Sequence, residues 1–410
     1  MKGRLLILLT LAIQPLAAQV QFNSVNEFVR YVNEHNPTLS VEKLNTDAAK
    51  ERLSGSRALL LPHVKAFGSF DNNVSLPVQL VPAEFLDGPQ GQFAEIQFGT
   101  RYNSAYGVEA SLPLLNVSNW KTIKSAQLAA SVSVYQQKNK VLQMKERAAT
   151  VYYMTLLSLE ALELNQSLVQ STDSLLRAAV DRFKNGLIEQ MELNRIQAIH
   201  LESKNQYLNS NARLYENMNT IRTLTNIHQT DSVILTEEIG DLQITAGKSQ
   251  NIALINTESL PGYTALIFRR QQSITELSKQ RAKLLPEVSL YGRYVNQSFS
   301  NELEIFSNEL KWYPIGLIGV RAEWNLFTGL NRKTNIREAA LNREIADKEL
   351  NTYLLNTNKE NDDLLNNFQT TTESLRNAAT HFSLNQDNYR IAGIKYEQGV
   401  YSIDQYINIY

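Results

Sequence analysis

Along most of the chain apolar residues recur every seven positions. One stripe runs Val134, Val141, Ala148, Thr155, Leu162, Val169; its neighbour runs Leu128, Tyr135, Leu142, Ala149, Leu156. That spacing predicts long helices packed as coiled coil, with a seam facing partner helices. Small residues at 148, 149, 178 and 179, all Ala, permit close approach. No Pro interrupts 114–260 and no Gly interrupts 117–184, a window that would make about 100 Å of continuous or stacked helix. Residues 331–392 are again free of both. Asn185-Gly186 stops the first long helix and Gln398-Gly399 the second, as left-handed C-caps would. Further helix is expected after each stop, so each turn reads as the tip of a long helical hairpin.

Between the helices the period shortens to two. In 101–112 the even positions are Tyr102, Ser104, Tyr106, Val108, Ala110 and Leu112, against a polar odd set that includes Arg101, Asn103 and Glu109. The same alternation places Val288, Leu290, Gly292 and Tyr294 on one side of 287–294, and Val320, Ala322, Trp324 and Leu326 on one side of 319–326. A weaker run, 63–74, has Val64, Ala66, Gly68 and Phe70. The predicted strands form two hairpins, joined by 75–98 and by 297–310. Each run has about the length of a tilted membrane-crossing strand. The alternation suits either a half-buried soluble sheet or a barrel with a lipid-facing outside and a wet lumen. Four strands cannot close a barrel, for which about eight is the practical minimum. Lipid does not tolerate open edges, so a membrane location would require several chains to pool their strands. Two, three or four chains satisfy that requirement.

The chain is written twice. Ala58-Leu59-Leu60-Leu61-Pro62 recurs as Ala282-Lys283-Leu284-Leu285-Pro286, Gly107-Val108-Glu109-Ala110 as Gly319-Val320-Arg321-Ala322, and Arg182-Phe183-Lys184-Asn185-Gly186 as Lys395-Tyr396-Glu397-Gln398-Gly399. Three blocks in one order define two structural repeats, 19–226 and 259–410, with a linker at 227–258. Past Gly186 the first copy continues through Ile196, Leu201, Leu208, Leu214 and Ile221, while the second reaches only Tyr410. The repeat therefore reads as C-terminally truncated, its partner helix incomplete.

Residues 1–18 carry Lys2 and Arg4, then the apolar stretch Leu5 to Ile13, then a small-residue site ending at Ala18. This is the pattern of an export signal peptide, the apolar part being too short to span a bilayer. The chain has 40 Lys+Arg against 41 Asp+Glu and no Cys. The charge balance argues against nucleic-acid binding, and the lack of thiols excludes disulfides and a lipidated N-terminal Cys. The five His are scattered, and there is neither a phosphate loop nor a nucleophile elbow. No catalytic residue, metal ligand or cofactor is expected. The acidic pairs Glu237-Glu238 and Asp362-Asp363 read as solvated surface, and Trp120 as a packing residue at a junction.

Export, the twofold helix–hairpin–helix plan and three local motifs together resemble the TolC-type outer-membrane efflux proteins. The motifs are Asn36-Pro37-Thr38-Leu39, the Leu-Leu-Pro lead-in to the first strand of each repeat, and the tip sequences ending in Gly186-Leu187 and Gly399-Val400. The resemblance implies a mainly α fold with a small β part: long coiled-coil hairpins in the periplasm plus four strands per chain. It implies a homotrimer with a shared 12-stranded barrel in outer-membrane lipid, and an equatorial segment within 227–258. It further implies that Gly186, Leu187, Ile188, Gly399, Val400 and Tyr401 dock on a periplasmic adaptor, which connects to an inner-membrane pump. The periplasmic entrance would lie at Asp404, Gln405 and Asn408, and Tyr294, Trp312, Tyr313 and Trp324 would form an aromatic girdle. A coiled-coil scaffold without channel activity would account for export and helices, but not for paired amphipathic hairpins in both repeats.

Overall fold

The computed structural model describes residues 19–229, 231–239, 255–303, 310–402 and 405. The export signal, half of the 227–258 linker, Asp404 and Asn408 lie outside them. The order of elements is β1 (Gln19–Phe22), α1 (Val25–His35), α2 (Pro37–Arg57), β2 (His63–Asn72), β3 (Val78–Pro82), β4 (Phe93–Gln97), β5 (Tyr102–Leu115), α3 (Val117–Lys184) and α4 (Gln190–Thr225). There follow β6 (Ser232–Leu235), α5 (Pro261–Ala282), β7 (Glu287–Ser300), β8 (Tyr313–Glu323) and α6 (Asn331–Glu397). The 68-residue α3 coincides with the breaker-free window. Among the described residues no helix is long and apolar enough to cross a membrane.

The chain divides into two compact units. One comprises Met1–Asn45, Tyr135–Thr264 and Thr352–Tyr410. Its core joins α1, α3 and α4: Phe28, Val32, Ala148, Tyr152 and Ile221 are all fully buried. Phe28 meets the Tyr152 ring at 5.5 Å and Phe22 edge-on at 5.0 Å. Phe22 belongs to β1, which pairs in parallel with β6, a two-stranded element that the sequence did not announce. Glu237, just past β6, is half-buried, and its Oε2 accepts from the Val25 amide at 3.2 Å. It is therefore not the solvated surface acid expected of it. Burial, then the Glu237 carboxylate, pushes the Tyr152 hydroxyl pKa up, so it stays protonated.

The Asn36-Pro37 motif has a mechanical reason. Asn36 is 3% exposed. Its Oδ1 accepts from the amides of Thr38 (3.0 Å) and Leu39 (3.3 Å), capping α2, while Nδ2 donates to the Leu224 carbonyl at 2.8 Å. Pro37 takes the first helical position, where a missing N–H costs nothing. One side chain thus starts a helix and satisfies an orphan carbonyl at the end of α4.

Polar groups, not only apolar ones, join α3 to α4. Thr172, His200 and Ser203 form a buried cluster in which Thr172 Oγ1 lies 3.1 Å from His200 Nδ1 and 2.8 Å from Ser203 Oγ. Asn165 Nδ2 donates to Ser210 Oγ at 2.7 Å, and Asn217 Nδ2 to Ser158 Oγ at 2.7 Å. Each such pair fixes the helix register, since a slip would bury it unpaired. Both heptad stripes contribute buried positions: Ala148 and Thr155 from one, Leu128 and Leu156 from the other, although Leu142 is exposed.

The other unit, Thr46–Val134 and Ala265–Asn351, holds an antiparallel sheet in the order β2-β5-β7-β8. The two expected hairpins are therefore welded by β5–β7 pairing, with Val108 opposite Tyr294 and Glu109 opposite Arg293. The segment 75–98, expected as loop, contains its own hairpin, β3 with β4. β8 begins earlier than expected and ends at Glu323, so Trp324 and Leu326 fall beyond it.

Replacing Asn36 by Ala should lower stability by about 2 kcal/mol, because both a cap and a buried acceptor's partner are lost. Chemical denaturation followed by far-UV circular dichroism would show it; an unchanged midpoint would deny the cap its role.

Candidate functional site

Cross-strand register puts the even-numbered positions of β2, β5, β7 and β8 on one face, up to the irregularity between Pro113 and Leu115 at the end of β5. That face carries Val64, Phe70, Tyr106, Val108, Tyr294 and Val320, all exposed. In water such a continuous apolar surface is a liability; against hydrocarbon it is the requirement. The odd face holds an ionic chain across three strands. Glu109 accepts from Lys65 Nζ at 2.8 Å on one side and lies 3.2 Å from Arg293 Nε on the other. Arg293 stacks over Phe67 at 5.0 Å and Arg321 over Tyr291 at 4.6 Å. β8 is apolar on both faces, with Ile315, Leu317 and Ile318 exposed. β2 and β8 each have one neighbour, so both outer edges of the sheet are bare.

Of the expected girdle residues, Tyr294 sits mid-sheet, opposite Val108 and Gly316. Trp312 packs edge-on against Tyr106 at 4.9 Å, on the apolar side. Tyr313 falls on the odd face, opposite Gln297, and touches Phe299. Trp324 lies past the other end of β8 and donates its indole N–H to the Leu284 carbonyl at 2.9 Å. The structure does not bring these four to one level, because alternation and strand length separate them. Sequence reading missed Tyr106 and the stacked Phe70–Tyr102 pair, whose even phase matches that of Tyr294. Trp120, expected to be packed, is 46% exposed.

The two tips share one backbone device. Gly186 and Gly399 both have φ of 72°. The Leu187 amide donates to the Arg182 carbonyl and the Gly186 amide to that of Phe183, each at 2.9 Å. In the second repeat Val400 donates to Lys395 at 2.9 Å and Gly399 to Tyr396 at 3.0 Å. Both are Schellman motifs, which satisfy the terminal carbonyls and need a left-handed residue. Each presents one apolar side chain to solvent: Leu187 at 71% and Val400 at 64% exposure. Ile188 is instead half-buried beside Ala179, Leu193 and Ile196.

Side chains break the symmetry of the tips. Arg182 lies over the Tyr396 ring at 5.0 Å and its Nη1 donates to that hydroxyl, tying the first tip to the second. Lys395, its repeat equivalent, bonds locally to the half-buried Tyr401, 4.9 Å from the ring centroid and 3.3 Å from the hydroxyl. Gln405, expected at the entrance, has its amide oxygen committed to the Ser402 amide at 2.9 Å, while the Gln405 amide donates to Ser402 Oγ. This reciprocal pair has the form of a capping box.

The family described as Outer membrane efflux protein matches residues 30–226 and 264–406. The chain belongs to that family, and its place is the outer membrane. No curated protein matches it closely in sequence. Among solved structures it is similar to the CmeC outer membrane channel of Campylobacter jejuni, with TM-score 0.72 and 18% identity over 94% of this chain and 79% of that one. It is also similar to the outer membrane protein VceC of Vibrio cholerae (TM-score 0.69, 14% identity, 94% and 88% covered). A third is the open-state MtrE channel of Neisseria gonorrhoeae (0.70, 16%, 94% and 82%). The protein is an outer-membrane efflux channel of mainly helical, TolC-like fold.

A Cβ at Gly107 would stand 2.3 Å from the Tyr294 carbonyl oxygen, whereas at Gly68 the nearest atom is 3.9 Å away. Gly107→Ala should therefore cost roughly 1–3 kcal/mol by prising β5 from β7. Gly68→Ala should be near neutral. Thermal unfolding in detergent compares the two, and equal midpoints would contradict so tight a seam.

Proposed function

We propose that three copies pool their sheets into one closed 12-stranded barrel, and that the assembly conducts substrate passively to the cell exterior. The bare edges of β2 and β8 carry this reading. Strand directions alternate across the sheet, so β8 of one copy meets β2 of the next antiparallel, and rotation closes the ring. Closure satisfies every edge amide and carbonyl in lipid, which an isolated four-stranded sheet cannot do. The apolar even face then points to the acyl chains, and the odd face, with Lys65, Glu109 and Arg293, lines the lumen. Three as the number of copies follows from the resemblance to TolC-type channels. Trp312, Tyr106 and Phe70 supply aromatic residues for a girdle at one end of the strands.

The tips serve as the docking site for a periplasmic adaptor that links the channel to an inner-membrane pump, in a tripartite efflux or type I secretion system. Supporting this are the matched motifs and the exposed Leu187 and Val400. The adaptor opens the channel by binding the open arrangement of helices better than the closed one. The Arg182–Tyr396 contact is a candidate for what such binding must release. Asp404 and Asn408 are assigned to the entrance on the resemblance.

Native mass spectrometry of protein extracted from the outer membrane should give a trimer. A monomer in the water-soluble fraction would sink the barrel reading and favour a scaffold. Gly186→Val and Gly399→Val place a β-branched residue at positive φ, at a cost of roughly 1–3 kcal/mol each. The double variant should still assemble as trimers but lose efflux. Undiminished efflux would count against docking at the tips.

A further inference from the structure

The four connections between sheet and helices repeat one two-layer pattern. Nearest the strands is an exposed apolar layer. Leu59 and Leu61 precede β2; Leu114 and Leu115 end β5, and Trp120 follows in the first turn of α3. Leu284 and Leu285 precede β7; Leu326 and Phe327, 78% and 82% exposed, follow β8. Within the adjoining helical turns comes a cationic layer. It consists of Arg52 and Arg57 on α2, Lys121 and Lys124 on α3, Lys279 and Arg281 on α5 with Lys283 just after, and Arg332, Lys333 and Arg337 on α6. The stretches 51–62, 116–127, 276–286 and 324–337 together hold these ten cations and only two carboxylates, Glu51 and Glu276. The whole chain has a formal net charge of −1, so this concentration is local.

The cations are not consumed internally. Lys279 pairs with Glu276 at 2.5 Å, and Arg332 donates to the Asn325 carbonyl at 2.5 Å. Among the described residues the other eight have no carboxylate partner. Arg281 and Arg337 line one groove of about 510 Å³ along α5 and α6, together with Arg343, Lys348, Glu344 and Asp347, so cations outnumber carboxylates there. Apolar first and cationic next is the order in which a bilayer presents hydrocarbon and then phosphate. Lys and Arg lay their methylene stems along apolar surface and carry the charge to phosphate oxygens, which guanidinium groups bind in pairs.

We propose that this collar binds anionic phospholipid headgroups of the leaflet on the helical side of the membrane. It fixes how deep the strands sit and draws negatively charged lipid around the channel. The inference rests on the outer-membrane placement; the order of layers selects a lipid headgroup rather than a free anion. Four junctions share the arrangement: the two Leu-Leu-Pro lead-ins are alike, whereas Leu-Phe-Thr-Gly-Leu-Asn-Arg-Lys at 326–333 reaches it with a different sequence.

The test is native mass spectrometry of the full-chain oligomer in detergent with added phosphatidylglycerol or phosphatidylcholine. The wild type should retain phosphatidylglycerol preferentially, and raising salt should weaken that preference. Arg57→Gln, Lys124→Gln, Lys283→Gln and Lys333→Gln combined should abolish it, at about five-fold per charge, the equivalent of about 1 kcal/mol each. The same spectra report whether the variant is still assembled, and the wild-type salt series stands if it is not. Equal retention of both lipids, or a preference indifferent to salt, overturns the collar while leaving the channel intact. So does an assembled variant that keeps the preference but changes conductance, since the cations would then face the lumen. A wild type absent from the outer-membrane fraction overturns the channel reading and the collar together.

Discussion

Unpaired backbone at the two edges of the β2-β5-β7-β8 sheet is the constraint on which everything else depends. Water would satisfy those amides and carbonyls; hydrocarbon cannot, and each would cost several kcal/mol. The even face that forces the sheet into lipid is the same surface that makes bare edges intolerable there. In the proposed trimer the sheet is one third of the closed barrel. The β5–β7 seam is the part each chain completes alone, and it is tight enough to demand Gly107.

The helical part solves a different problem. Helices as long as α3 bury too little at any one level to rely on apolar packing alone, and heptads by themselves allow sliding. The Thr172–His200–Ser203 cluster and the Asn165–Ser210 and Asn217–Ser158 pairs remove that freedom, since a shifted register would strand buried polar groups. At the tips the two repeats keep the same Schellman backbone but spend their cations differently. Arg182 reaches across to Tyr396, while Lys395 stays with Tyr401. Duplication supplied two equal turns, and side-chain divergence made one of them hold the other.

Much of the architecture was legible beforehand because it rests on local rules. The absence of Pro and Gly sets the limits of α3, a left-handed glycine ends it, and alternation marks the strands. What escaped depended on partners distant in the chain. β1 is recognisable only once β6 lies beside it. Glu237 looked like any surface acid until the Val25 amide was placed against it. The commitment of Gln405 to Ser402 is likewise visible only in the structure. Aromatic positions were the least legible. Trp312, Tyr313 and Trp324 are close in sequence, yet strand pairing sends them to different faces and ends.

By itself the sequence determined the two repeats, the helix lengths, the glycine turns and the phase of each strand, since each follows from torsional preference or periodicity within one segment. Only the tertiary structure decided that the two hairpins share one sheet and that all four apolar phases fall on the same face. It also decided that the cations of four separate junctions lie next to that sheet. The physical reason is register: the pairing of β5 with β7 couples residues nearly two hundred positions apart, and no local preference encodes it.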